Sequence, residues 1–250
     1  MTNTATDTST TTITSTGTST GTSTGTSTGT STGTSTGTIT STDPSMDSPT
    51  HTHAAVAVDA IPDPRPTFAE AVALGRQIVG GVRAEQLDLP TPCADFDVRT
   101  LGHHMLAVLQ RLAIIGAGGN PDESPDFIEG VDDGAWVEAY DRFAGRVAGV
   151  WSDDAVLTNI LTVPWAKLPG AIALLIYINE ITVHTWDLAE ATGQVAPWND
   201  AVVNTAFTAI QRGLPAEGRV ENGFPFAEVV ELPTDAPLID RLVAWNGRRP

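Results

Sequence analysis

The residues with the most chemistry in their side chains are Glu180, His184 and Asp187, within the stretch Asn179-Glu180-Ile181-Thr182-Val183-His184-Thr185-Trp186-Asp187-Leu188-Ala189-Glu190-Ala191-Thr192-Gly193-Gln194. Glu180 and His184 are four apart, so on a helix they project from one face about one turn apart. Directly before them runs Ala171-Ile172-Ala173-Leu174-Leu175-Ile176-Tyr177-Ile178, apolar almost all the way round a helical wheel, which marks a central, buried helix. An acid and an imidazole leaving such a helix side by side need a partner, because lone buried polar groups are costly. A metal ion is one such partner, and a buried hydrogen-bond network is the other. Asp187, one turn beyond His184, stands where it would fix an imidazole tautomer or hold a metal-bound water.

A second imidazole must come from another element. Asp97 is a good N-cap, and Val98, Leu101, Met105, Val108, Leu109 and Leu112 share one face of the helix that follows, to about Gly116. At about 100° per residue, His104 falls on the flank of that face, while His103 points away from its centre and toward water. His104, Glu180 and His184 then form a His₂Glu set from facing helices, a common way to build metal sites in bundles. Three protein ligands leave an open position on zinc; iron, nickel and manganese accept the same donors. Spacing alone leaves open the plainer alternative of a satisfied core histidine and an ordinary helical Glu–His pair.

Other motifs contribute little. There is no His-Glu-x-x-His, no Cys-x-x-Cys and no Gly-x-Ser-x-Gly elbow. Gly116-Ala117-Gly118-Gly119 follows a helix rather than a strand, so it is no phosphate cradle. Cys93, four residues before Asp97, sits near a helix N-terminus, where a thiol pKa can fall; a small buried loop residue is the plainer reading. Trp165 and Trp186 read as packing residues.

The elements that must position these groups are helical. Thr67-Phe68-Ala69-Glu70 has the form of a capping box, opening a helix expected over about 68–83. Trp136, Tyr140, Phe143, Val147 and Trp151 mark a third helix. Val156 to Leu168 reads as a short extended crossover, and the central helix spans Gly170–Thr192, with Gly193 as its C′ residue. A further helix follows Pro197 to near Gly213, and a last turn or two lies around Leu238–Trp245. The expected fold is all-α, a helix bundle rather than a parallel sheet.

Composition sets the outer limits. Of 250 residues, the first 63 are Thr/Ser/Gly-rich, with Thr-Ser-Thr-Gly repeated six times from Thr14 to Gly37. Such a segment has little apolar surface to offset its ordering entropy, so residues 1–63 are expected to be a disordered tail and 64–250 one domain. The formal charge is −17; the five aspartates of residues 1–63 leave −12 for the domain, whose single lysine is Lys167. That balance argues against nucleic acid and anionic membranes as partners, and no apolar run is long enough to span a bilayer. With one cysteine there is no intrachain disulfide. The expectation is a cytoplasmic protein, monomer or homodimer.

Two stretches, Thr91-Pro92-Cys93-Ala94-Asp95-Phe96-Asp97-Val98-Arg99-Thr100-Leu101-Gly102-His103-His104 and Glu180 to Gln194, resemble one family. It is the actinobacterial metal-binding domains related to mycothiol-dependent maleylpyruvate isomerase, within the DinB-like four-helix bundles. The closing Asp235-Ala236-Pro237-Leu238-Ile239-Asp240-Arg241-Leu242-Val243-Ala244-Trp245-Asn246-Gly247-Arg248-Arg249-Pro250 resembles that family's C-terminal signature. The resemblance implies an up-and-down four-helix bundle with a short C-terminal extension. It also implies a divalent metal, zinc first, held by His104, Glu180 and His184, with mycothiol as thiol cosubstrate and a small electrophile as substrate. The family pattern Val-Arg-x-Leu-x-x-His falls on His104, the residue the helical wheel also selects. One departure limits it. The isomerase carries a sizeable further C-terminal domain supplying basic residues, whereas about 37 residues follow Gly213 here, so maleylpyruvate isomerisation itself is not carried over. Arg241, Arg248 and Arg249 are candidate anion contacts or a solvated tail. A thiol-dependent transferase or isomerase is the leading expectation, and a non-catalytic metal- or ligand-binding bundle the alternative.

Overall fold

The computed structural model describes residues 61–250. The disordered tail expected over residues 1–63 therefore lies almost wholly outside the described residues. Seven helices and one hairpin follow in order: α1 (Arg65–Gly80), α2 (Val98–Gly116), α3 (Trp136–Val150), the single turn α4 (Ala155–Thr158), β1 (Ile160–Val163), β2 (Ala166–Pro169), α5 (Gly170–Thr192), α6 (Asp200–Gly213) and α7 (Leu238–Trp245). The fold is mostly helical, as expected. Helix α1 packs on α3 and α5, and α2 packs on the same two, so α1 and α2 stand opposite one another. Helix α6 covers the outside of α5, and α7 packs on α6 and α5.

The helices form where apolar spacing and caps agree. Asp97 caps α2 through its Oδ1, which accepts from the Thr100 amide at 2.7 Å, and Val98, Leu101, Met105, Leu109 and Leu112 are buried along it. Helix α5 is buried on nearly every side, as its uniform apolarity requires, and it ends at Gly193 with φ of +65°, the left-handed geometry that favours glycine. Between α2 and α3 the Trp136 side chain lies directly against the α2 backbone at Gly102. A Cβ there would lie 2.4 Å from the Trp136 ring, so the absent side chain is what lets Trp136 fill the seam.

Three local expectations are corrected. Helix α1 begins at Arg65 with no use of the Thr67–Glu70 box: Pro66 sits in its first turn and Asp63 Oδ1 accepts from the Arg65 amide at 2.9 Å. Glu70 turns outward and accepts from Asn199 Nδ2 at 2.6 Å. The crossover after α3 is one helical turn and an antiparallel hairpin, Ile160 opposite Pro169 and Val163 opposite Ala166. Trp165, at its tip, is 57% exposed and lies against Tyr177 rather than packing in the core. Among the described residues, no helix is long and apolar enough to cross a membrane.

Candidate metal centre

Helices α2 and α5 bring His104, Glu180 and His184 together. One donor atom from each lies within 4.8 Å of the others. The Nε2 atoms of His104 and His184 each stand 3.4 Å from the same Glu180 oxygen, Oε1, and the two rings meet edge to face with centroids 5.0 Å apart. His184 is the most enclosed of the three side chains at 9% exposure and Glu180 the most open at 31%, so any approach from outside is on the Glu180 side.

The other nitrogen of each ring is already engaged. His104 Nδ1 is 3.0 Å from the Asp126 carbonyl, which can only accept. His184 Nδ1 is 3.0 Å from the Asp187 carboxylate. Both partners hold a proton on Nδ1, so a neutral ring keeps its Nε2 lone pair for the Glu180 side. These distances bear on both readings of the cluster. Good N–H···O hydrogen bonds cluster near about 2.9–3.0 Å, shorter than both contacts at Oε1. Tetrahedral zinc with bonds of about 2.0–2.1 Å sets its ligand atoms roughly 3.3–3.4 Å apart. The donor set and its spacing therefore fit a small divalent cation.

Electrostatics bind the cluster further. Burial alone would push the Glu180 carboxyl up, but the charge of His184 and the hydrogen bonds of both imidazoles outweigh it and hold Glu180 well below the usual carboxylate range. Burial alone would likewise lower His184, yet the charge of Glu180 and the bond to Asp187 lift it to about 9. Without a cation, the pair stores a proton on His184 at neutral pH.

Asp187 has 0% exposure and a partner that sequence reasoning left undecided. Arg248 reaches back over 61 residues and donates from Nε to Oδ1 at 3.2 Å and from Nη2 to Oδ2 at 3.0 Å. It is a half-buried counter-charge, not a solvated tail. Two residues earlier, Asn246 and Asn179 exchange side-chain amide bonds at 3.0 and 3.1 Å, fastening the C-terminal segment to α5. The signal was present in the closing Trp245-Asn246-Gly247-Arg248, because a buried aspartate on α5 requires a cation from somewhere.

His103 does not face open water. It is half-buried, hydrogen-bonded through Nδ1 to the Ile128 carbonyl and edge-on to Trp136. The two adjacent histidines thus divide their work: His104 turns Nε2 to Glu180, and both clamp the Asp126–Ile128 loop to α2. Cys93 is half-buried and close enough to His184 and Asp187 to form a second cluster of possible donors. Burial pushes its thiol up to about 11 despite the opposing charge of Arg248, the reverse of the lowering that a nearby helix N-terminus suggested. Both Asp187 oxygens are taken by Arg248, so this second cluster is a poor cation site. Trp186 is buried and packs, as expected.

Fold and cluster together define a helical-bundle domain in which two imidazoles and one carboxylate converge. Residues 68–189 match the family described as the mycothiol maleylpyruvate isomerase N-terminal domain. The match includes His104, Glu180, His184 and Asp187; Asn246 and Arg248 lie beyond it. An uncharacterized protein of Mycobacterium tuberculosis, recorded from two strains, is 27% identical over 171 residues, covering 68% of this chain and 90% of the relative. No solved structure matches the chain.

Proposed function

We propose that His104, Glu180 and His184 hold a divalent cation, zinc first among the candidates. On this reading the protein is a mycothiol-dependent transferase or isomerase of small electrophiles, working in the cytoplasm, with residues 64–250 as its functional unit. The observation that carries the proposal is the pair of 3.4 Å contacts at Glu180 Oε1, made by two imidazoles whose Nδ1 atoms are already committed. The match to the isomerase family supports the choice of thiol.

A bound divalent cation supplies a Lewis-acid position at which a thiol loses its proton near neutral pH. The chain's own residues do the rest. Asp126 and Asp187 hold the imidazole tautomers, and Arg248 neutralises Asp187 so that its charge is not left uncompensated beside His184. Glu180, at the open side, is the carboxylate nearest to an arriving thiol, and because it is held ionised its negative charge stays on the cation side of the site.

The test is elemental analysis of protein purified without chelators. Near-stoichiometric divalent metal is expected, lost in His104→Ala and kept in His103→Ala. Metal-free wild type, or loss with His103→Ala alone, would refute the assignment. Turnover is then decided by offering mycothiol with a chlorobimane or an epoxide; no conjugate above the metal-free background would leave a binding protein rather than an enzyme.

A further inference from the structure

Two phenylalanines stand beside the His104–Glu180–His184 cluster. Phe96 lies with its ring centroid 5.3 Å from His104 and 6.5 Å from His184. Phe127 stands edge-on to Phe96 at 5.4 Å and 5.9 Å from His104. Neither ring is fully buried, and Phe127 remains 36% exposed, so an apolar surface is left open beside the donors.

Both rings are fixed in place. The Phe96 carbonyl accepts from the amide and hydroxyl of Thr91, at 3.1 and 2.8 Å, and its amide donates to the Cys93 carbonyl at 2.9 Å. Phe127 sits between Asp126, whose carbonyl takes the His104 Nδ1 proton, and Ile128, which is bonded to His103 through both side chain and backbone. Arg111 adds bonds to the Pro125 carbonyl and the Asp126 carboxylate at 3.2 and 2.8 Å. The loop is clamped to α2 by three residues of that helix, and the aromatic wall is preorganised rather than assembled on binding.

The charges around the cluster are already matched. The Glu180 carboxylate and a deprotonated thiol together offset a divalent cation, and Asp187 is offset by Arg248. Two arginines act electrostatically on this region, Arg111 on Tyr177 and Arg248 on Glu180. Arg111 is committed to Asp126 and Arg248 to Asp187. An anionic substrate would enter a half-enclosed site where, among the described residues, both arginines that act on it are already paired, on a chain of net charge −17. A neutral aromatic or aliphatic group meets no such penalty and covers the two phenyl faces.

Resting on the metal–thiol reading above, we propose that the electrophile is uncharged and apolar, and that Phe96 and Phe127 select it. With an epoxide of this kind the sulfur–carbon bond forms as the ring carbon–oxygen bond breaks. The thiol's proton ends on that oxygen, and nothing is oxidised or reduced.

The test compares two matched, unreactive probes on the zinc-loaded full chain saturated with mycothiol, by isothermal titration: a phenyl-substituted vicinal diol and the same diol with a para-carboxylate. The neutral diol is expected to bind at least about tenfold more tightly. Phe127→Ala should remove about tenfold of the neutral diol's affinity and leave the carboxylate's unchanged, with Phe127→Leu between the two. Phe96→Ala is read the same way if its circular dichroism melt is intact; the surface-exposed Phe127 variants decide the matter if it is not. Zinc affinity, by competition with a chromophoric chelator, should stay within about twofold of wild type in each variant. Equal or tighter binding of the carboxylate, or no loss in Phe127→Ala, overturns the substrate class while leaving the metal centre standing. A wild type that takes up no zinc overturns both.

Discussion

Replacing Arg248 with methionine removes the charge that balances Asp187 while keeping most of the side chain's volume. Asp187 has 0% exposure, and two of its three polar contacts come from Arg248, at 3.2 and 3.0 Å; the third, to His184, survives. Breaking a buried ion pair by deleting one member costs about 3–5 kcal/mol, and the remaining His184 contact places this case at the lower end, about 3 kcal/mol. For a domain of this size each kcal/mol moves the melting temperature by roughly 2–4 °C, so Tm should fall by roughly 6–12 °C. The assay is a circular dichroism melt of the full chain, with saturating zinc and with chelator. Because Asp187 orients His184, zinc affinity should also fall by about 10–100-fold. Arg248→Lys, which keeps the charge but not the two-pronged geometry, should lie between the two proteins. A Tm within 2 °C of wild type with unchanged zinc affinity would mean that Asp187 does not depend on Arg248.

Two further outcomes follow from the same geometry. In metal-free protein the His184 pKa is raised to about 9, above its unfolded value of about 6.5. The stability this contributes is fully present below about pH 6.5 and lost as pH rises through about 9. Zinc must displace that proton, so its apparent affinity should climb about tenfold per pH unit from pH 6 to pH 8; a flat profile by chelator competition would show His184 is not a ligand. Gly102→Ala forces a methyl against the Trp136 ring, 2.4 Å from the new Cβ, and should cost about 1–3 kcal/mol of stability by denaturant titration, whereas a neutral result would mean the α2–α3 seam opens freely.

Periodicity made α2, α3 and α5 readable, because each has a buried stripe or, for α5, no polar face at all until Glu180. It also placed His104 on the correct flank of α2, since the Leu101–Met105–Val108 face is set locally. The misread features depend on contacts that helical spacing does not encode. Thr67 and Glu70 have the right spacing for a cap, but Asp63 and Pro66 start the helix a turn earlier and Glu70 is drawn to Asn199 on the far side of the chain. His103 points away from its own helix's apolar face, yet a loop 25 residues on folds over it. Strands of four residues joined at Pro164–Trp165 are too short to show alternation. Arg248 illustrates the same limit: a charge near the chain end reads as solvated until the fold brings it to a buried aspartate.

The chain from Arg248 through Asp187 to His184 makes one last prediction about what the cluster is. In Asp187→Asn the shape is kept but the donor pattern is not. Arg248 can only donate, so the new amide must turn its oxygen toward the guanidinium and its NH₂ toward His184. His184 Nδ1 then accepts instead of donating, and the ring's proton moves to Nε2, where it points at Glu180 Oε1. The 3.4 Å contact can close into an ordinary hydrogen bond, and the lone pair a cation needs is gone. One substitution would thus convert the cluster from the proposed cation site to the hydrogen-bond network that is its rival reading. Zinc affinity should fall by about 100-fold or more, at or beyond the upper end of what an outer partner of a ligand is worth. The metal-free protein should lose less stability than it does with Arg248→Met, because the charge left without its counter-ion is the partly exposed Arg248 guanidinium rather than the fully enclosed Asp187 carboxylate. Nitrogen NMR of the imidazole reads the tautomer directly. Zinc affinity held within about threefold in Asp187→Asn, with the proton still on Nδ1, would show that Asp187 does not set the state of His184.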